Sequence, residues 1–189
     1  MAKNKDIFEI TFHARGGQGA KTTAEIIAHA AVKEGKFVQA FPQFGPERSG
    51  APTKTYVRIS DKPIRTHETV IDPDVVMVLD ETILEAKEVL KSFGQREIMI
   101  INSKKSAGEL KELIGFAGKI YPIDASGISM EIIGAPRPNT VILGKFVQVT
   151  KAVELQSVAD EFRKIFSDKI GQEATEKNIQ AIEKAYNTA

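Results

Sequence analysis

The segment Arg15-Gly16-Gly17-Gln18-Gly19 carries three glycines, two of them between Arg15 and Gln18, whose side chains are rich in hydrogen-bond donors. Glycines between a strand and a helix let the backbone approach an anion while the first helical N–H groups point at it. Arg15 and Gln18 add donors that can read a phosphate, a carboxylate or neighbouring backbone. Two nucleotide fingerprints compete for this segment. Gly17-Gln18-Gly19-Ala20-Lys21-Thr22 matches the first two glycines of the dinucleotide pattern but puts Thr22 where the third belongs. Lys21-Thr22 matches the end of a P-loop, and Val75 to Asp80 resembles the apolar strand and magnesium-holding aspartate that accompany one. The P-loop, however, requires glycines where this chain has Arg15 and Ala20. A third possibility is a tight turn that merely lets a helix pack close to a sheet.

Other candidates for chemistry are sparse. His13, His29 and His67 stand in no ligand spacing, so no metal site is expected. His13 falls on the polar side of its strand beside the glycine loop, where it could touch a ligand or satisfy a structural hydrogen bond. No GxSxG elbow surrounds Ser49, Ser106, Ser126 or Ser129, and there is no cysteine, so no catalytic residue is assigned. Thiolates are the usual ligands of iron–sulfur clusters, so any such cluster must sit on another chain. The absence of disulfides fits a reducing cytoplasm. Lys and Arg number 26 against 25 Asp and Glu, a formal charge of +1 that exerts no general pull on nucleic acid or anionic lipid. Nowhere do 18 consecutive apolar residues occur, so no membrane span is expected.

The elements that would position the loop follow from hydrophobic periodicity. At 189 residues, with 42% hydrophobic and 27% charged residues, the chain is expected to form one domain over 1–189. Residues 7–13 alternate like a strand, and Ala20, Ala24, Ile27, Ala28 and Ala31 recur at helical spacing up to a stop at Gly35. A strand over 37–41 would complete a βαβ opening. Residues 42–52 carry three prolines and two glycines and make a long loop, whose Phe41, Phe44, Glu47 and Arg48 suit binding or an interface. A strand over 54–59, a turn at Ser60 to Pro63 and a return strand from Ile64 predict a hairpin. Val75 to Asp80 reads as a central parallel strand. A helix over 81–93 stopped by Gly94, strands over 97–102 and 119–124, and a mostly helical remainder follow. Val153, Leu155, Val158, Phe162 and Phe166 form one helical stripe, and Ile179, Ile182 and Tyr186 another that the protein's own core should cover. The expected fold is α/β, a single domain with a mainly parallel sheet flanked by helices, plus a hairpin and C-terminal helices.

Five segments occur in order: ARGGQGAKTTAEIIAHAA, QAFPQFGPERSGAP, VRISDKPI, DPDVVMVLDETIL and PNTVILGKF. Together, over about residues 7–147, they closely resemble the gamma subunits of pyruvate:ferredoxin oxidoreductase and its 2-oxoacid relatives. The resemblance implies a multi-subunit enzyme that oxidatively decarboxylates a 2-oxoacid, forms an acyl-coenzyme A and reduces ferredoxin; the lack of cysteines and of a long apolar run leads to the separate expectation of a cytoplasmic location. Thiamine diphosphate and [4Fe-4S] clusters would be bound mainly by other subunits, which agrees with the missing cysteines. The gamma chain would be a structural and cofactor-edge wall, inactive in isolation, with no nucleic-acid or membrane partner. Pyruvate is the leading substrate and 2-ketoisovalerate the alternative. The Arg48-Ser49-Gly50-Ala51-Pro52 loop looks more like the pyruvate and branched-chain enzymes than the 2-oxoglutarate branch, where a second glycine commonly follows the arginine. A stand-alone P-loop protein using Lys21, Thr22 and Asp80, and an assembly module that touches no ligand, remain the competing readings.

Carried onto this chain, the resemblance assigns cofactor-edge roles to Arg15, Gly16, Gly17, Gln18, Gly19, Glu47, Arg48 and Asn139. Gln18 and Arg48 would sit near a subunit junction facing the coenzyme or acyl site, with Glu47 orienting Arg48. Lys145 departs from the pattern, since a small residue usually follows the glycine of Leu143-Gly144, and this puts a small-residue packing contact there in doubt.

Overall fold

The computed structural model describes residues 6–43, 50–85 and 97–188. Among them the strands are β1 (Ile7–Arg15), β2 (Phe37–Pro42), β3 (Pro52–Ser60), β4 (Val75–Val78), β5 (Ile98–Asn102) and β6 (Lys119–Ile123). The helices are α1 (Ala20–Lys33), α2 (Ala107–Ile114), α3 (Ala125–Ile132), α4 (Pro138–Thr150), α5 (Leu155–Ile170) and α6 (Gln172–Asn187), with a 3-10 turn at Glu81–Glu85.

The strands form one sheet in the order β2-β3-β1-β4-β5-β6. β1, β4, β5 and β6 run parallel, and β3 is antiparallel to both β1 and β2. The sheet is therefore mainly parallel, with helices on both faces, as an α/β chain requires. The period of two sorts the apolar strands between two layers. Val75, Met77 and Ile100 pack into the larger core with Ile10 and Phe12, while Val76, Val78, Met99 and Ile101 face a smaller core with Leu110, Phe116 and Ile120.

Two sequence expectations change. β1 and β2 are parallel but not adjacent, because β3 enters between them. The hairpin joins β2 to β3 across the proline-rich loop, and no return strand forms at Ile64, since both edges of β3 are already occupied. The chain after β3 is instead tied to the sheet by side chains. Arg58, only 2% exposed, donates to the Glu68 carbonyl at 2.6 Å and to Glu9 at 2.9 Å, and Gln39 donates to the Thr66 carbonyl at 3.1 Å. The expected helix over 81–93 begins as the 3-10 turn, and its remainder, with Gly94, lies outside the described residues.

Helix ends follow local chemistry. Ser106 and Glu109 form a reciprocal capping box on α2, and Asp124 accepts from the Gly127 N–H at 2.8 Å on α3. Helix α4 is apolar nearly all round and buried from Thr140 to Val147, as a helix enclosed between layers must be. The C-terminal stripes close over it: Phe162, Ile179 and Ile182 are buried, and Tyr186 packs against the same core.

Gly144 is the point of closest approach between α4 and α6. A Cβ there would collide with the backbone carbonyl of Ile182 and lie 2.8 Å from the Tyr186 nitrogen. Gly144 itself thus makes the close contact, and Lys145 turns elsewhere. Only 3% exposed, Lys145 donates to the Thr188 carbonyl at 3.0 Å, beside Gln148, which donates to the Tyr186 and Thr188 carbonyls at 2.6 and 2.9 Å. Together they satisfy acceptors at the end of α6 that the helix leaves unpaired. Gly144→Ala should force α4 and α6 apart and cost about 1–3 kcal/mol by chemical denaturation; an unchanged unfolding midpoint would contradict this packing.

Candidate functional site

The parallel strands end at one edge of the sheet, where the chain departs in opposite directions. After β1 it enters α1 in the larger layer, and after β4 the 3-10 turn places Leu84 in the smaller one. Such a switch opens a crevice beyond the carboxyl ends of the strands. Here it is a cleft of about 950 Å³ lined by the glycine loop, residues 79–81, 102–104 and 133–140, and the apolar side chains Phe162, Phe166 and Ile170.

The glycine loop is held by a closed set of hydrogen bonds. The Gln18 side-chain oxygen accepts from the Arg15 N–H at 2.7 Å, and its amide nitrogen donates to Asp80 Oδ2 at 2.6 Å. Asp80 Oδ1 accepts from the Thr82 N–H at 2.9 Å and the Thr82 hydroxyl at 2.7 Å. The Arg15 guanidinium donates to Thr82 Oγ1 at 2.8 and 3.0 Å and lies 3.4 Å from Asp80 Oδ2. It also donates to the Gly50 carbonyl at 3.2 Å, while Gly16 exchanges backbone bonds with Ala51 and Gly50 at 2.8 and 3.2 Å. The loop is thus fastened to the end of β4 and to the end of the proline-rich loop. Burial alone would raise the Asp80 pKa, but the bonds from Thr82 and Gln18 and the charge of Arg15 hold the carboxyl below its ordinary value.

Two helix starts meet at the other side of the loop. Gly19, at φ +80°, begins α1, and a Cβ there would lie 2.6 Å from the Asn139 amide nitrogen. The Thr23 hydroxyl donates to the Asn139 carbonyl at 2.9 Å and so ties α1 to the first turn of α4. Neither helix has a side-chain cap or an acidic residue in its first turn, which leaves both positive dipole ends facing the cleft. Across from them, Asn102 bridges β4 and α3: its amide nitrogen donates to the Leu79 carbonyl at 3.1 Å and Ser126 at 3.0 Å, and its oxygen accepts from the Ser126 N–H at 3.1 Å. The Arg137 backbone is pinned by Ser129 at 2.9 Å, and Arg137 and Lys104, the latter 3.9 Å from Asp124, both line the cleft.

The structure therefore gathers Gly17, Gln18, Gly19 and Asn139 at one cleft, with Arg15 and Gly16 securing the loop from behind. Glu47 and Arg48 lie outside the described residues. Thr22 and Asp80 both line the cleft, but Lys21 is 72% exposed, lies 3.7 Å from Glu25 and does not line it, and Asp80 is occupied by loop donors, so the P-loop set does not assemble. His13, beside Lys54 in the register of β1 and β3, is 2% exposed and does not line the cleft. Burial, then the charge of Lys54, lowers its pKa to about 3, so it is a neutral core residue. Sequence reasoning missed Thr82, Asn102, Ser126 and Arg137. Their one available signal was position, since Thr82, Asn102 and Ser126 fall just after or at the end of apolar strands. Among the described residues, no group of three or more His, Asp or Glu is placed to hold a metal ion, and no helix is long and apolar enough to cross a membrane.

The family model of the pyruvate ferredoxin/flavodoxin oxidoreductases matches residues 9–188. A curated relative from Thermococcus kodakarensis, the pyruvate/ketoisovalerate oxidoreductases common subunit gamma, is 47% identical over 182 residues, covering 96% of each chain. The pyruvate synthase subunit PorC of Thermotoga maritima is 40% identical over 186 residues, 98% of this chain and 96% of the relative. The crystal structure of pyruvate oxidoreductase subunit PorC from Thermotoga maritima superposes with a TM-score of 0.85 at 38% identity, covering 96% of both chains. A 2-oxoglutarate:ferredoxin oxidoreductase from Magnetococcus marinus shares the fold, with a TM-score of 0.78 at 21% identity over 96% of this chain and 31% of that one.

Gly19→Ala should cost about 1–2 kcal/mol from its left-handed backbone alone, and Asn139→Ala in the same chain should recover only the steric part; equal stability of Gly19→Ala and the parent in urea would refute the loop geometry. Because the His13 pKa is lowered, its contribution to stability is complete above the ordinary value of 6.5 and is lost as pH falls toward about 3. His13→Leu should flatten that part of the stability curve, and a parent-like slope would show that another group titrates there.

Proposed function

The chain belongs to the pyruvate ferredoxin/flavodoxin oxidoreductase family as a gamma-type subunit, and on that premise we propose that it forms the coenzyme-edge wall of a cytoplasmic multi-subunit enzyme. The enzyme oxidatively decarboxylates pyruvate, forms acetyl-CoA and passes electrons to ferredoxin. The observation that carries this reading is similarity to gamma subunits along nearly the whole length of both chains. The single gamma-type domain over 1–189 acts as one wall of a larger assembly. The [4Fe-4S] clusters would belong to other subunits, because this chain has no cysteine to offer a cluster, and the resemblance assigns thiamine diphosphate to those subunits as well.

Coenzyme A fits the donor set of the cleft. Its anionic end would meet the starts of α1 and α4, the Gln18 and Asn139 amides, and the Lys104 and Arg137 cations, while Phe162 and Phe166 offer an apolar wall for an uncharged arm. When bound, the coenzyme supplies the thiol that accepts the acyl group. This chain's own contribution is to neutralise charge and to hold the coenzyme in one orientation. Arg15, Gly16, Gly17 and Gly19 would shape this edge, and Glu47 and Arg48 would complete it from the proline-rich loop.

A second reading is favoured by the Thermococcus kodakarensis relative, which is named for both pyruvate and ketoisovalerate oxidoreductases. This chain would then also serve a 2-ketoisovalerate enzyme, with the substrate chosen by the partner subunits. Anaerobic affinity purification from the native cells should recover a complex containing thiamine diphosphate, iron–sulfur clusters and coenzyme A-dependent pyruvate oxidation. Within it, Arg48→Ala and Asn139→Ala should each raise the KM for coenzyme A by about 5- to 50-fold with little change in kcat. Unchanged KM in both variants would refute the coenzyme edge, and recovery of the chain alone would refute the subunit role.

A further inference from the structure

The hydrogen bonds of the glycine loop are directional in a way that its packing is not. Gln18 reaches both ways, its oxygen toward the Arg15 N–H and its nitrogen toward Asp80 Oδ2. The amide therefore has one satisfied orientation. Asp80 is just as constrained, because both of its oxygens accept: Oδ2 from Gln18 and Oδ1 from the Thr82 backbone and hydroxyl. Beyond these bonds, the loop is held by Gly16, which pairs with Ala51 and Gly50, and by the Arg15 side chain on Thr82 and Gly50. Its internal backbone bond runs from Gln18 N to the Arg15 carbonyl at 3.0 Å, and a Cβ at Gly17 would meet nothing within 4 Å.

We infer that Asp80, held by Thr82, is the positioning residue of the glycine loop: its carboxylate, through Gln18 and Arg15, sets the path of residues 15–19 along the cleft. The inference rests on the coenzyme-edge role proposed above for that loop. Asp80 touches no reacting group in this account and acts only through its partners. What the site needs at positions 18 and 80 is one carboxylate and one carboxamide, and their chemistry can be exchanged. In Asp80→Asn an amide replaces two acceptors with one, so either Gln18 or Thr82 points a donor at a donor. In Gln18→Glu two carboxylates meet at hydrogen-bond distance. In the double variant Gln18→Glu/Asp80→Asn, the carboxylate at position 18 accepts from the Arg15 N–H and from the new amide at position 80, whose oxygen still accepts from Thr82. Net charge and the hydrogen bonds linking positions 15, 18, 80 and 82 are preserved, while the negative charge moves to position 18 and the 3.4 Å contact between Arg15 and a carboxylate at position 80 is lost.

The test is amide hydrogen exchange of residues 15–19 in the full chain, paired with kcat and KM for coenzyme A in the assembled complex. Each single variant should speed loop exchange about tenfold and raise KM about tenfold while kcat stays within about twofold, and the double variant should return exchange to within about threefold of the parent while its KM stays raised, because a carboxylate replaces the Gln18 amide at the cleft. Thr82→Val should act like the single variants and Thr82→Ser like the parent, which separates a lost hydroxyl from a failure to fold. Unchanged exchange in both single variants, or exchange in the double variant no slower than in either, overturns the inference. Exchange that rises and is rescued while KM never moves upholds Asp80 as the anchor and overturns the coenzyme role of the loop.

Discussion

A carboxylate at the end of a buried parallel strand needs donors, and Asp80 draws them from the loop that leaves the neighbouring strand. Burial penalises its charge, and only the combined bonds from Thr82 and Gln18, together with Arg15, reverse that penalty. The arrangement is reciprocal. Arg15 and Gln18 carry groups that a glycine-rich turn could not orient by packing, since glycines have no side chains to pack. One compensated charge thereby converts a permissive stretch of backbone into a defined edge, and the same Arg15 side chain extends that definition to Gly50, just before β3.

The rest of the molecule supplies rigidity around that edge. The sheet sends its chain to opposite faces after β1 and β4, which opens the crevice, and α4 fills the larger layer so completely that its first turn lies against Gly19. Gly144 lets α6 close over α4 at backbone distance, while Lys145 and Gln148 satisfy the carbonyls at the α6 terminus. Asn139 and Arg137, at the start of α4, are held in turn by Thr23 and Ser129. A cleft whose lining combines two helix starts, Lys104 and Arg137 with Phe162 and Phe166, beside the carboxylates Asp80, Glu81 and Asp124, can meet a ligand that carries both anionic and apolar parts.

Much of this was legible in the order of residues. The continuous apolar run Val75 to Val78 announced two-sided burial, and the glycine loop between strand and helix announced the cleft's main wall. The position of β3 was not legible, because alternation marks a strand without naming its neighbours, and the pattern at Pro63-Ile64 mimics a hairpin turn. The role of Asp80 was obscured by a resemblance to a magnesium-binding aspartate that only geometry could dissolve: its oxygens face Gln18 and Thr82, not an open phosphate cradle. Asn102 and Ser126 could not be paired from sequence, since β5 and α3 meet only through the tertiary fold. Asn139, in contrast, was reached through the family resemblance and stands beside Gly19.

The central claim is that this cleft at the strand ends faces coenzyme A within a gamma-containing oxidoreductase. The most direct measurement is a cryo-electron microscopy map of the complex purified from its own cells and equilibrated with coenzyme A. The account predicts coenzyme density whose phosphates lie between the start of α1 and Arg137, with the Asp80–Gln18 bond intact behind it. A map in which the cleft is filled by a partner subunit, and the coenzyme lies away from this chain, would contradict it.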